Sequence, residues 1–104
     1  MTIALQTIPP ALVMATTDTL PITFDTSPLL RVGETPSAYS ATLLDTTSGK
    51  DVALSDPATL AGNVIEQIIR GSELIAKHVY IITWIFTAAV DTVWTEVTQL
   101  NVPI

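Results

Sequence analysis

The sequence predicts an all-β sandwich. Three observations carry that expectation. Thr, Val and Ile recur along the whole chain, and these β-branched residues suit a pleated sheet. Turn signals built on Gly, Pro and Asp interrupt the chain at short intervals. The most apolar stretch, "VYIITWIF" at residues 79–86, has the composition of a strand and is too short to span a membrane. Its apolar run extends from Val79 to Val90, between Lys77-His78 and Asp91, whereas a membrane helix needs about 20 residues. Alternation puts Tyr80, Ile82, Trp84 and Phe86 on one face, which belongs in the core. Val79, Ile81, Thr83, Ile85 and Thr87 take the other face. That face is apolar too, so an arm or a neighbour is expected to cover it.

The elements follow in order. "MTIALQTIPPALVMATT" opens the chain with no charge before Asp18 and with Pro9-Pro10 in its middle. It lacks the basic start and unbroken apolar run of a signal peptide. Residues 1–19 are therefore expected to form an extended arm, and residues 20–104 a single sandwich domain. "LPITFD", Leu20 to Asp25, is the first strand, and "RVGETPS" a loop. "AYSATLLD", Ala38 to Asp45, is the next strand. "TTSGKD" is a hairpin turn with Gly49 at the position that needs a positive φ, and "VALS" returns as a short strand. "DPATLAGN" is expected to be a loop. "VIEQIIRG" has helical spacing at Leu60, Val64, Ile65, Ile68 and Ile69, with Asp56-Pro57 as a possible helix start. Gly62-Asn63 would weaken that helix, so a strand is expected. "SELIAKH" leads into the strand that begins at Val79. "AAVDT" turns the chain, and "VWTEVTQLNVPI" is the last strand.

About seven strands at this spacing suggest an immunoglobulin-like sandwich. A Tyr at the start of the penultimate strand, bonding back to the preceding corner, is a mark of such domains, and Tyr80 stands at that place, without the usual Pro-Gly of the corner and with a plain core Tyr as the alternative.

The 104 residues make one ordinary domain. Hydrophobic residues are 48% and charged residues only 13%, against about 25% charged in a typical soluble domain. So little charge cannot cover the surface, and a partner is expected to bury part of it. The net charge is −6. The four basic residues, Arg31, Lys50, Arg70 and Lys77, are scattered. Nucleic acids and anionic membranes both require clustered cations, so neither is an expected partner.

No catalytic constellation is legible. There is no Cys, hence no disulfide, thiolate nucleophile or thiolate metal site. His78 is the only His and is read as a boundary residue rather than a base. No "GxSxG" elbow or phosphate-binding glycine loop is present. Asp45 and Asp51 flank one hairpin and could share a Ca²⁺ ion, although no EF-hand spacing supports it. Neither an enzyme nor a cofactor is expected. Trp84 and Trp94 fall on neighbouring strands. They are read as core aromatics, with a carbohydrate-binding or adhesive face as the alternative.

Two segments carry a resemblance: "ITFDTSPLLRVGETPSAYSATLLDTTSGKDV" and "GNVIEQIIRGSELIAKHVYIITWIFTAAVDTVWTEVTQLNVPI". With Gly33-Glu34, Gly71, Tyr80 and the closing "NVPI", the chain resembles small immunoglobulin-like virion structural proteins of tailed bacteriophages over about residues 20–104. It departs from them at Lys77 and His78, where a Gly often precedes the Tyr. The resemblance implies a structural component of the virion, at the head–tail connection, on the tail or decorating the capsid. Its partners would be other virion proteins and copies of itself in a homo-oligomeric assembly. The arm fits that role, because an extended segment can pair with a neighbour's sheet edge. Ile3, Leu5, Ile8, Leu12, Val13 and Met14 are its expected partner-binding residues.

Overall fold

The computed structural model describes residues 12–88 and 92–103. Their fold is an all-β sandwich of two sheets. Eight strands follow in order: β1 (Leu12–Val13), β2 (Thr19–Asp25), β3 (Ala38–Asp45), β4 (Lys50–Val52), β5 (Thr59–Ala61), β6 (Val64–Arg70), β7 (Val79–Thr87) and β8 (Val93–Asn101). Single 3₁₀ turns sit at Ser27–Leu29 and Gly71–Glu73. One sheet has five strands in the order β1-β8-β7-β3-β4, and the other has three in the order β2-β6-β5. All neighbours are antiparallel except β1, which runs parallel to β8 with Leu12 opposite Leu100 and Val13 opposite Asn101.

The octapeptide strand is central, between β3 and β8. Its face of large side chains, Tyr80, Ile82, Trp84 and Phe86, is wholly buried. Leu43 and Leu100 flank it on the same sheet face, in register with Ile82 and Tyr80. Ile22, Ile65 and Ile69 close over it from the second sheet. The Phe24 ring stacks on Trp84 at 5.9 Å between centroids, a geometry that adds to simple burial. Two polar side chains share this interior. Gln67 donates its amide to the carbonyls of Asp56 and Ile68. Trp84 Nε1 donates to Thr98 Oγ1 at 2.9 Å.

Residues 64–70 are strand, as expected. The helical spacing there is produced by a strand whose buried positions, Ile65, Gln67 and Ile69, include one polar residue, so alternation was blurred. "DPATLAGN", expected to be a loop, holds the strand β5. Gly62, at φ 61°, and Asn63 form a two-residue hairpin turn closed by Ala61 opposite Val64. The return strand after the first hairpin is β4, two residues ahead of "VALS". Gly49 has φ 75° in that hairpin, as its turn requires.

The corner before β7 is fixed by Tyr80, whose hydroxyl accepts the Ile75 N–H at 2.6 Å. Lys77 is the one described non-glycine residue with positive φ, at 70°. A Lys thus adopts here the left-handed conformation that Gly takes most readily. Its N–H donates to the Val102 carbonyl, while Val102 N–H donates to the His78 carbonyl. The corner is thereby tied to the "NVPI" end of β8.

Part of the segment expected as an arm, from Leu12 to Thr19, takes part in the sandwich itself. Leu12 and Val13 belong to the main sheet. Met14 is 1% exposed and packs in the chain's own core, with its N–H on the Asn101 carbonyl at 3.0 Å. Met14 is therefore not available to a partner. Ile3, Leu5 and Ile8 lie outside the described residues.

Candidate functional site

The expected catalytic poverty can be examined atom by atom. His78 Nδ1 lies 2.6 Å from Asp45 Oδ2. The other Asp45 oxygen accepts the backbone N–H groups of Thr47 and Ser48. This carboxylate therefore caps the β3–β4 turn. Burial raises its pKa, but the bonds from His78 and Ser48 outweigh burial and hold it below the ordinary aspartate value. Thr46 and Thr47 complete the joint, donating to and accepting from the Val79 backbone. This His–Asp pair joins the β3–β4 turn to the start of β7.

Asp45 and Asp51 do not converge. Asp45 pairs with Lys50 in register and is buried, whereas Asp51 stands opposite the exposed Leu44 on the other sheet face. Among the described residues no three metal-ligating side chains gather. Trp84 is fully buried. Trp94 is half-buried, with its ring stacked on Phe86 at 6.4 Å. Trp84 thus has no open ring face, and one ring face of Trp94 is taken by Phe86.

The feature left over is one side of the sandwich. There β1, at the edge of the five-stranded sheet, faces β2, at the edge of the three-stranded sheet. A groove of about 330 Å³ lies between them, lined by Leu12, Val13, Leu20, Pro21, Ile22 and Leu100. Leu12, Val13 and Leu20 remain largely exposed. Both edges are short of partners. β1 covers only Leu100 and Asn101 of β8, so among the described residues Val93 to Gln99 have no neighbour on their outer side. The outer edge of β2 is likewise unpaired among the described residues, and Pro21 removes one of its donors. An unpaired edge presents backbone donors and acceptors to any incoming strand.

Two buried polar atoms on the core face of β8 also have no partner among the described residues. Glu96 lies on the core face of β8, opposite Trp84, and is 7% exposed. Its Oε1 has no hydrogen-bond partner among the described residues, and neither has the neighbouring Trp94 Nε1. Burial pushes the Glu96 carboxyl pKa up. One is an acceptor and the other a donor, two positions apart on one strand face.

Glu96 is not among the residues singled out from the sequence. The signal that could have marked it is its phase. Trp94, Glu96, Thr98 and Leu100 alternate onto one face, and that face is shared with the core residues of β7. Of the six expected arm residues, Leu12 and Val13 line the groove and Met14 lies beneath it in the core.

The chain matches no protein-family model, no curated protein and no solved structure.

Proposed function

We propose that the chain is a non-enzymatic structural component of a tailed-phage virion, an immunoglobulin-like module that assembles through its sheet edges and its amino-terminal residues. The observation that carries this reading is the pair of open edges, β1/β8 and β2, framing an apolar groove on the side where residue 11 joins β1. A strand added there would gain ladder hydrogen bonds from either edge and bury Leu12, Val13 and Leu20. Ile3, Leu5 and Ile8 supply apolar side chains of the type such a groove takes. Exchange between subunits would give each copy the edge cover of the next.

Three further features support the finer parts of the reading. The strand order, with β1 parallel to the last strand and a sheet division of β1-β8-β7-β3-β4 and β2-β6-β5, is compatible with immunoglobulin-like connectivity. The Tyr80 hydroxyl bonds back to the corner at Ile75, as in the tyrosine corner of such domains. The virion assignment rests on the resemblance of residues 20–104 to phage structural proteins, with copies of itself and other virion proteins as partners.

The test is removal of residues 1–11, which stops short of β1 and Met14. The shortened chain is expected to unfold cooperatively at nearly the full-length temperature and to be missing from assembled particles. Its incorporation at the full-length level would refute the role given to this segment.

A further inference from the structure

The outer face of the five-stranded sheet is distinct from the edge groove. It is formed by the strand positions that alternate with the core: Leu44 on β3, Ile81, Thr83 and Ile85 on β7, Val93 and Val97 on β8, with uncharged Ser, Thr, Gln and Asn side chains among them. Val97 is 49% exposed and Ile85 37%. Among the described residues the only charge on this face is Asp51, on the short edge strand β4. The other sheet is different. Its outer positions carry Asp25, Glu66 and Arg70, and Arg70 pairs with Asp56 at 2.8 Å. A chain of net charge −6 thus keeps one whole sheet face almost free of charge.

We propose that this face is a self-association surface whose occupant is the same face of a second copy. This goes beyond the edge reading and does not require it. Two considerations select a second copy. First, electrostatics: two chains of charge −6 repel, and this is the described face through which they can approach with little charge opposing charge. The matching uncharged patch is present on the copy itself, so a two-fold arrangement is self-complementary. Second, area. At about 3.3 Å rise per residue and about 4.8 Å between strands, the long strands β3, β7 and β8 with the short β1 and β4 make a face of roughly 500 Å². Two copies stacked through it would bury roughly 1,000 Å² in total, the size of a weak, transient interface. The sheets would lie about 10 Å apart with strands crossing near 30°, as in sheet-on-sheet packing. The Thr and Ser rows let the face remain solvated in a free monomer, so the expected dimer is weak and reversible.

The test is sedimentation equilibrium of the full chain. A monomer–dimer equilibrium is expected, and added salt should tighten it by screening the net repulsion. Val97→Lys or Ile85→Lys should raise the dissociation constant at least about tenfold, because a Lys would be buried without a partner at the centre of the interface. Thr59→Lys, on the outer face of the other sheet, should leave it unchanged. Should a lysine variant lose cooperative unfolding, Thr83→Cys carrying a nitroxide gives an independent readout in this cysteine-free chain. A short intermolecular spin–spin distance is expected there and not at Thr59→Cys. A monomer at every concentration would overturn the proposal. So would a dimer indifferent to Val97→Lys and Ile85→Lys but abolished by Ile3→Ser, Leu5→Ser and Ile8→Ser together, which would assign association to the amino-terminal segment alone.

Discussion

Replacing Gly71 with Ala puts a methyl group where the chain has no room for one. A Cβ at this position would stand 2.5 Å from the carbonyl oxygens of Ala15 and Thr16 and 2.6 Å from the Thr16 carbonyl carbon. Carbon–oxygen contacts settle near about 3.3–3.6 Å, so roughly 0.8–1.1 Å of separation is missing. The obstacles are backbone atoms, which cannot swing aside as a side chain can. Overpacking of this kind typically costs about 1–3 kcal/mol, and the lower unfolded-state entropy of Ala returns about 0.4–1 kcal/mol. A net loss of roughly 1–2 kcal/mol lowers the melting temperature by about 5–15 °C in a domain this size. The loss has a location. Residues 15–18 are held over Gly71 by its N–H bond to the Asp18 carbonyl at 2.7 Å and by the Ala15 N–H bond to Asp18 Oδ2. Pushing them off pulls on Met14 and β1. Calorimetry should therefore show the drop, and hydrogen exchange should show the Met14 amide losing protection beyond the global change. A melting temperature within about 2 °C of the parent, with Met14 still protected, would refute this account of how the amino-terminal strand is seated.

Tyr80→Phe removes the acceptor of the Ile75 N–H and should destabilise by about 1–2 kcal/mol, read by urea unfolding; no change would mean the corner bond contributes nothing net. Lys77→Gly places the permissive residue at a φ of 70°. It should leave stability unchanged or raise it by up to about 1 kcal/mol, since relief of left-handed strain outweighs the entropy of Gly, and a clear loss would contradict that balance. Glu96→Gln removes a buried carboxylate whose pKa is raised by burial. A raised folded pKa means that Glu96 opposes folding least below its ordinary value of 4.5 and most once pH has risen through the folded value. The variant should therefore gain on the parent as pH climbs from about 4.5 toward neutrality; a stability difference that is flat or shrinks with pH would count against it. Asp45 has the opposite sign. Its pKa is lowered, so its stabilisation is in place above 3.8 and is lost as pH falls further, and Asp45→Asn should blunt that acid loss in unfolding curves taken below pH 4.

Much of the fold was readable because strong alternation and turn chemistry agreed. Val79 to Thr87 alternates large with small side chains, and both its limits and its buried face can be read directly. Ala38 to Asp45 and the Gly49 hairpin are bounded by residues with a single good conformational use. β5 was not readable, because three residues between Pro57 and Gly62 carry no period, and only pairing with β6 makes them a strand. That Leu12 to Met14 join the sandwich was hard to read for a related reason. "LVM" looks like any apolar stretch, and whether it serves the chain's own core or a neighbour depends on Gly71 leaving space for residues 15 and 16. The edge groove depends wholly on tertiary placement, since β1 and β2 meet only because each ends its own sheet. Glu96 was legible in phase but not in consequence, as nothing local says that its carboxylate lacks a donor.

The most direct test of the assembly account is amide exchange along the outer edge of β8, from Val93 to Gln99, followed from dilute to concentrated protein. If another subunit fills the edge, protection of the amides that do not bond β7 must rise with concentration in the full chain and stay low in residues 12–104. Protection that is the same at every dilution, with or without residues 1–11, would contradict it.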